Sequence, residues 1–208
     1  MDFTETGVVH LYPNDIEEKG VATIKKVSIS AAEERRANMY YSARSNYGLF
    51  AVKQGEYVQL FIKGHGLMMS DTHMERKTNY DFVSSANGRV LIAGLGVGLI
   101  IKGIIDRKDI TEIVVIEKYQ DVIDLVLPKI KHKKLKVINA DIFEWKPEKG
   151  ELFDSIYFDI WADICEDNLD EMKTLHKKYS RALNKSNSRS FMDSWMKGHL
   201  TRQKRRSR

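Results

Sequence analysis

The sequence contains very little cysteine and no long apolar run. Cys165 is the single cysteine among 208 residues, which excludes an intrachain disulfide, and no Cys/His cluster has the spacing of a zinc site, so we expect no metal. No stretch approaches the ~20 apolar residues of a membrane-spanning helix. The first residues carry acids where a signal peptide has an apolar segment. We therefore expect a cytoplasmic protein with no membrane partner.

Acidic residues are absent from the last positions of the chain, where positive charge is concentrated. The formal net charge is +5, and segment 197–208 contributes only basic side chains to it. No aromatic residue lies among these cations to stack on bases, so we favour a solvated, disordered tail, although the charge leaves a nucleic-acid partner open. The basic residues are Lys197, Arg202, Lys204, Arg205, Arg206 and Arg208.

Residues 1–70 are expected to form a small β-rich module. Ser30-Ala-Ala-Glu33 has the pattern of a capping box, which predicts a short helix to about Met39. The turn residues Lys53–Glu56 lie between two β-like runs, which predicts a hairpin. A module of this size is marginally stable alone, so we expect it to pack on another part of the protein. The β-like segments are Val8–Tyr12, Val21–Ile29, Tyr47–Val52 and Tyr57–Ile62.

Strands and helices alternate in residues 71–196. Thr72-His-Met-Glu75 is a second capping box, which predicts a helix to about Ala86. The strand-helix units that follow have short links, which is typical of a doubly wound parallel sheet. We therefore expect an α/β fold, with a Rossmann-like domain at 71–196 followed by a basic tail at 197–208. The predicted strands are 90–93, 112–116, 135–138, 152–158 and 190–193, and the predicted helices are 97–106, 119–130 and 167–182.

The carboxyl ends of these strands indicate a ligand site, since that is where a doubly wound sheet binds its ligands. The first strand runs into Gly94-Leu-Gly-Val-Gly98, whose glycines let the backbone approach a ligand, while the next helix N-terminus favours an anionic group. The second strand ends at Glu117, about twenty residues further on, where an acid can bind both hydroxyls of a ribose. Asp141 follows the third strand, and Asp159 follows the fourth.

This ordered set resembles the class I S-adenosylmethionine-dependent methyltransferases, over about residues 78–193. The resemblance implies that the glycine loop passes beneath the methionine part of the cofactor, that Glu117 binds the ribose, and that Asp141 with Ile142 binds the adenine. It also implies that Asp159 lies beside the sulfonium and the acceptor. The cofactor-binding residues expected from the resemblance are Gly94, Leu95, Gly96, Gly98, Glu117, Lys118, Asp141, Ile142 and Asp159.

A narrower resemblance is to the spermidine synthases, which use decarboxylated S-adenosylmethionine and also have a small β module before the sheet. That family has G-G-G-D-G in the loop and D-x-x-D after the fourth strand. Here the loop at 94–98 lacks the acid, and Asp159 and Asp163 are one residue further apart. We therefore interpret the protein first as a methyltransferase for a small-molecule acceptor such as an amine. An aminopropyltransferase and a non-catalytic nucleoside-binding protein are the alternatives.

Two carboxylates are the candidate catalytic residues. Asp159 is placed to accept a proton from an ammonium acceptor, and Asp163 is a second carboxylate that can hold a cation. A purely structural role stays open for both. The sheet is expected to stop after five parallel strands, and its edge then needs a cover from the N-terminal module, a partner subunit or the tail. We expect a homodimer.

Overall fold

The computed structural model describes residues 3–42 and 51–206 of the chain. Two sheets organise these residues, one parallel and one antiparallel, and this confirms the predicted α/β fold. The predicted strand Tyr47–Val52 lies for most of its length outside the described residues. The strands are β1 (Ile16–Lys19), β2 (Ala22–Ile29), β3 (Gly55–Ile62), β4 (Gly66–Ser70), β5 (Gly88–Ala93), β6 (Ile110–Glu117), β7 (Leu135–Asn139), β8 (Ser155–Phe158) and β9 (Phe191–Ser194). The helices are α1 (Ala31–Ser42), α2 (His73–Ser85), α3 (Leu99–Ile104), α4 (Gln120–Ile130), α5 (Asn168–Tyr179) and α6 (Lys197–Arg206).

The parallel sheet has the strand order β7-β6-β5-β8-β9. Its central strand β5 is inaccessible to solvent from Val90 to Ala93, as expected for an apolar run with elements packed on both of its faces. The strand order reverses at β5, because β6 pairs with one of its edges and β8 with the other. A crevice therefore opens at the carboxyl end of β5, at the topological switch point.

The antiparallel sheet has the order β1-β2-β3-β4, and it corrects one prediction for the N-terminal module. Strand β3 begins at Gly55, inside the turn predicted at Lys53–Glu56, and pairs with β2 and β4, while the other strand of the predicted hairpin lies for most of its length outside the described residues. Val9–Leu11 forms a short 3-10 helix instead of a strand, because the amides of Val8 and Val9 donate to the Asp71 carboxylate at 2.7 and 3.1 Å. The same carboxylate accepts the Val58 amide at 2.7 Å, so Asp71 ties this module together.

The antiparallel sheet packs over the carboxyl edge of the parallel sheet. The Tyr12 hydroxyl donates to the Val97 carbonyl in the glycine loop at 2.9 Å. Glu17 of β1 forms an ion pair with Lys129 of α4 at 2.8 Å, and both side chains are largely shielded from solvent. These contacts hold the N-terminal module as a roof above the crevice.

The basic C-terminal segment is helical from Lys197 to Arg206, which corrects the prediction of a disordered tail. Leu200 is buried, and α6 packs against α5, so one apolar anchor suffices to order a helix that is otherwise charged. None of the helices in 3–42 and 51–206 has the length and apolar character needed to cross a membrane.

Candidate functional site

A cavity of about 290 Å³ lies between the carboxyl ends of the parallel strands and the antiparallel sheet. The loops after β5, β6, β7 and β8 form its floor, and residues of β3, β4 and their connecting turn form its roof. Its position matches the crevice in which doubly wound sheets bind ligands. The lining residues are Leu60, Ile62, His65, Met68, Met69, Glu75, Gly94, Gly96, Ile116, Glu117, Lys118, Tyr119, Val122, Ala140, Asp141, Ile142, Phe143, Asp159, Ile160, Trp161, Glu171 and Trp195.

The glycine loop is compressed between the β8 loop and the roof. Gly94 has φ +98°, and a Cβ at this position would collide with the Asp159 carbonyl oxygen. Gly96 has φ +52°, and its Cβ would collide with the Met69 sulfur of the roof. Only glycine satisfies both requirements, a left-handed backbone and no side chain. The loop thus places its main chain at the cavity, with a backbone conformation at Gly94 and Gly96 that requires glycine.

Glu117 ends β6 and joins the glycine loop to the floor of the cavity. One of its carboxylate oxygens accepts the Leu95 amide and the other accepts the Tyr119 amide, each at 2.8 Å. Burial raises the pKa of Glu117, and these amide donors oppose that effect. Each oxygen retains a lone pair, so the carboxylate can accept further hydrogen bonds from a ligand in the cavity.

Asp141 and Lys118 form an ion pair of 3.0 Å at the end of β6 and β7. Burial acts to raise the pKa of Asp141, but the Phe143 amide and the Lys118 ammonium outweigh it and hold this pKa below its ordinary value. Ile142 is buried beside the pair and contributes an apolar wall. This side of the cavity therefore combines a carboxylate acceptor whose pKa is lowered with an apolar surface.

Asp159 follows β8 directly and lines the same cavity. Its amide donates to the Ala93 carbonyl at 2.9 Å, which fixes its backbone beside the glycine loop. Burial raises the pKa of its carboxyl to about 7, and no hydrogen-bond donor of the described residues lowers it. Asp159 is therefore a half-buried residue whose carboxyl group has no hydrogen-bond donor among the described residues.

Glu75, in the first turn of α2, is a cavity residue that the sequence pattern concealed. It is 9% exposed. Burial, and then the charge of Asp159, raise the pKa of Glu75 to about 8, against the opposing effect of the Ser70 amide. The sequence assigned this side chain to a capping box, but Thr72 makes no side-chain cap hydrogen bond. The sequence shows only that Glu75 lies in the first turn of a predicted helix. Its position at the cavity depends on where the fold places that helix.

The structure places the remaining predicted residues as follows. Leu95 lies behind the cavity lining with its amide on Glu117, and Gly98 begins α3 with φ +79°. Asp163 is exposed and is not among the described residues that line the cavity. Two tryptophans do line it: the Trp161 indole donates to Glu171 at 2.7 Å, and the Trp195 indole donates to Thr78 at 2.9 Å.

No protein-family model matches the sequence, and no curated protein is similar to it. Solved structures that resemble the chain include spermidine synthase from Thermotoga maritima, with 15% identity and a TM-score of 0.41 over 62% of this chain and 49% of that one. The N-methyltransferase NodS from Bradyrhizobium japonicum WM9 has 17% identity and a TM-score of 0.41 over 53% and 62% of the two chains. The plantazolicin methyltransferase BpumL, solved with SAH, has 16% identity and a TM-score of 0.38 over 51% and 39%. The matched parts span less than two thirds of each of these proteins, and likeness at this level carries no activity over to this chain.

Proposed function

We propose that the protein is an S-adenosylmethionine-dependent methyltransferase that acts on a small-molecule acceptor. The observation that carries the proposal is the position of Glu117. Its buried carboxylate borders the cavity at the switch point of the sheet and holds the glycine loop through the Leu95 amide at 2.8 Å. A carboxylate in this position suits the two hydroxyls of a ribose.

The residues present fit an S-adenosyl nucleoside. Glu117 would hold the ribose, Ile142 would cover the adenine, and Asp141 would accept a hydrogen bond from the adenine amino group. Main chain at Gly94 and Gly96 borders the cavity with no room for a Cβ, which suits close approach of a flexible thioether tail. The cavity of about 290 Å³ lies just below the range for small-molecule sites, which begins at roughly 300 Å³.

When bound, S-adenosylmethionine supplies a methyl group whose carbon–sulfur bond breaks as the acceptor's nucleophile bonds to carbon, leaving the electron pair on a neutral thioether. The protein has to align the acceptor and exclude water. Leu60, Ile62 and Met69 of the roof supply an apolar cover. Asp159 supplies a carboxyl group that can take a proton from the acceptor, and its pKa of about 7 suits exchange at neutral pH.

Calorimetry with S-adenosylhomocysteine tests this proposal. Glu117→Ala should weaken its binding tenfold or more, since hydrogen bonds to a charged group contribute roughly 1.5–3 kcal/mol. Glu112→Ala is the matched control, because Glu112 lies on the same strand but pairs with Arg89 away from the cavity. Undiminished binding by Glu117→Ala, or no binding by the wild-type protein, would refute the proposal.

An aminopropyltransferase is the second candidate, and the charge of the cavity favours it. Lys118 is the only Lys or Arg among the described residues that line the cavity, and it is already paired with Asp141. A methionine carboxylate would find no unpaired Lys or Arg among the described lining residues, whereas decarboxylated S-adenosylmethionine needs none. Tighter binding of methylthioadenosine than of S-adenosylhomocysteine, with turnover of putrescine, would support this candidate. Nucleoside binding without turnover of any acceptor would indicate a non-catalytic protein.

A further inference from the structure

The first turns of α2 are fixed to the parallel sheet below the cavity. The Tyr157 hydroxyl of β8 donates to the Asn79 side chain at 2.8 Å, and the Asn79 amide group donates to the Glu75 carbonyl at 3.1 Å. The Trp195 indole, just after β9, donates to Thr78 at 2.9 Å. Glu75 therefore has a defined position relative to Asp159, which follows the same strand as Tyr157.

The carboxyl groups of Glu75 and Asp159 have no cation beside them among the described residues that line the cavity. Among the described residues, five acids and two bases line the cavity. Lys118 pairs with Asp141, Glu117 accepts two amides, and Glu171 accepts the Trp161 indole. Removing an acid from water with no cation beside it is unfavourable, so this arrangement favours a cationic ligand. The acids are Glu75, Glu117, Asp141, Asp159 and Glu171, and the bases are His65 and Lys118.

We propose that Glu75 and Asp159 form a carboxylate pair that binds a primary ammonium group of the acceptor and takes its proton, so that the acceptor is an aliphatic amine. This inference rests on the proposed function and names the acceptor class for the same cavity. Trp161 and Trp195 also line the cavity, and aromatic rings attract cations. Glu75 replaces the exposed Asp163 as the second carboxylate.

The proton balance of this site is simple. Burial raises the pKa of both carboxyl groups, and the charge of Asp159 raises that of Glu75 further, so without ligand the pair retains a proton near neutral pH. A bound ammonium displaces that proton to solvent. One carboxylate then accepts a proton from the ammonium, which frees the nitrogen lone pair to form the new N–C bond. The nitrogen regains its positive charge, and the pair returns its proton to solvent as the product leaves.

Calorimetry of butylamine and butan-1-ol binding to the protein saturated with S-adenosylhomocysteine tests the pair without requiring turnover. Butylamine should bind at least tenfold more tightly than butan-1-ol, and repeating the titration in buffers of different ionisation enthalpy should show proton release. Glu75→Gln and Asp159→Asn should each weaken butylamine binding about tenfold, reduce the proton release, and leave butan-1-ol binding unchanged.

The exposed residue Asp167 provides the control, and Asp167→Asn should bind both probes as the wild-type protein does. The proposal would be overturned if the wild-type protein bound butylamine and butan-1-ol equally well. It would also be overturned if Glu75→Gln kept the butylamine affinity and proton release of the wild-type protein. In either case, binding of S-adenosylhomocysteine would leave the proposed function standing. Failure of the wild-type protein to bind S-adenosylhomocysteine would instead reject the proposed function, and this inference with it. Melting temperatures of the variants show whether each is folded.

Discussion

Two helices of this protein begin with the same pattern, Ser30-x-x-Glu33 for α1 and Thr72-x-x-Glu75 for α2, but only α1 forms the capping box. The Ser30 amide and hydroxyl both donate to the Glu33 carboxylate, at 2.8 and 2.6 Å, and Ser30 Oγ accepts the Glu33 amide at 3.3 Å. In α2 the Thr72 amide donates to Ser70 Oγ at 3.4 Å, and the Glu75 side chain lines the cavity.

The difference follows from the surroundings of the two glutamates. Glu33 is exposed, so its hydrogen bonds to Ser30 are the dominant interactions, and they lower its pKa. Glu75 is buried near Asp159, and burial raises its pKa. One sequence pattern thus produces a surface cap in α1 and a buried carboxyl group with a raised pKa at the cavity in α2. Such a departure from a local rule is expected at functional positions, and it agrees with the role proposed for Glu75.

Glu75→Gln should produce the largest change in stability. A raised pKa in the folded state means that the stability Glu75 contributes is full below its unfolded pKa of about 4.5 and is lost as pH rises through about 8. The glutamine of this variant does not titrate, so the variant does not lose this stability. Its free energy of unfolding relative to wild type should therefore rise by on the order of a few kcal/mol between these pH values. Urea unfolding of the ligand-free proteins across the range measures the gain. Parallel pH profiles for the two proteins would count against a buried, titrating Glu75.

Asp159→Asn should have the next largest effect, this time on the titration of its neighbour. The negative charge of Asp159 contributes to the raised pKa of Glu75, after burial. Removing that charge should lower the Glu75 pKa by roughly one unit while leaving it above its ordinary value. Carbon-13 NMR of labelled glutamate carboxyl groups measures the shift, with Glu75→Gln assigning the resonance. An unchanged titration would mean that the two carboxyl groups do not interact.

Ser30→Ala and Thr72→Ala compare the two helix starts directly. Ser30→Ala should cost about 1 kcal/mol of unfolding free energy, because it removes a formed N-cap. It should also speed hydrogen exchange of the Glu33 amide. Thr72→Ala should leave exchange of the Glu75 amide unchanged, since Thr72 makes no cap hydrogen bond. Equal acceleration at both helix starts would show that Thr72 does cap α2 in solution.

Glu33→Gln should have the smallest effect, with a pH dependence opposite to that of Glu75→Gln. Because Ser30 lowers the pKa of Glu33, the stability that Glu33 contributes is present above about pH 4.5 and is lost as pH falls through the folded-state pKa. The difference in stability between wild type and variant should therefore shrink on acidification. Thermal unfolding from about pH 6 to about pH 3 is the measurement, and a difference that grows towards low pH would contradict the assignment.

The parallel sheet was predictable from sequence because its strands are short apolar runs bounded by turn residues. Val90–Ala93 and the glycines at 94–98 are read correctly for this reason, and Glu117, Asp141 and Asp159 reach the cavity because parallel strands end at a common edge. Strand β1 escaped prediction because its sequence, Ile-Glu-Glu-Lys, has no apolar alternation. Its pairing is stabilised by β2 and by the Glu17–Lys129 ion pair, which join distant parts of the chain.

By itself the sequence determined which segments are buried strands and where the glycine turn interrupts them, since both depend on local apolar patterning and backbone freedom. The tertiary structure decided where individual polar side chains lie and which groups they contact. The Asp71 carboxylate accepts backbone amides from β3 and from the 3-10 helix region, and Asp163 is exposed to solvent. Glu75, which the sequence assigned to a helix cap, lines the cavity. The physical reason is that a carboxylate's best partner depends on desolvation and on charges brought near by the fold, which neighbouring residues along the chain do not specify.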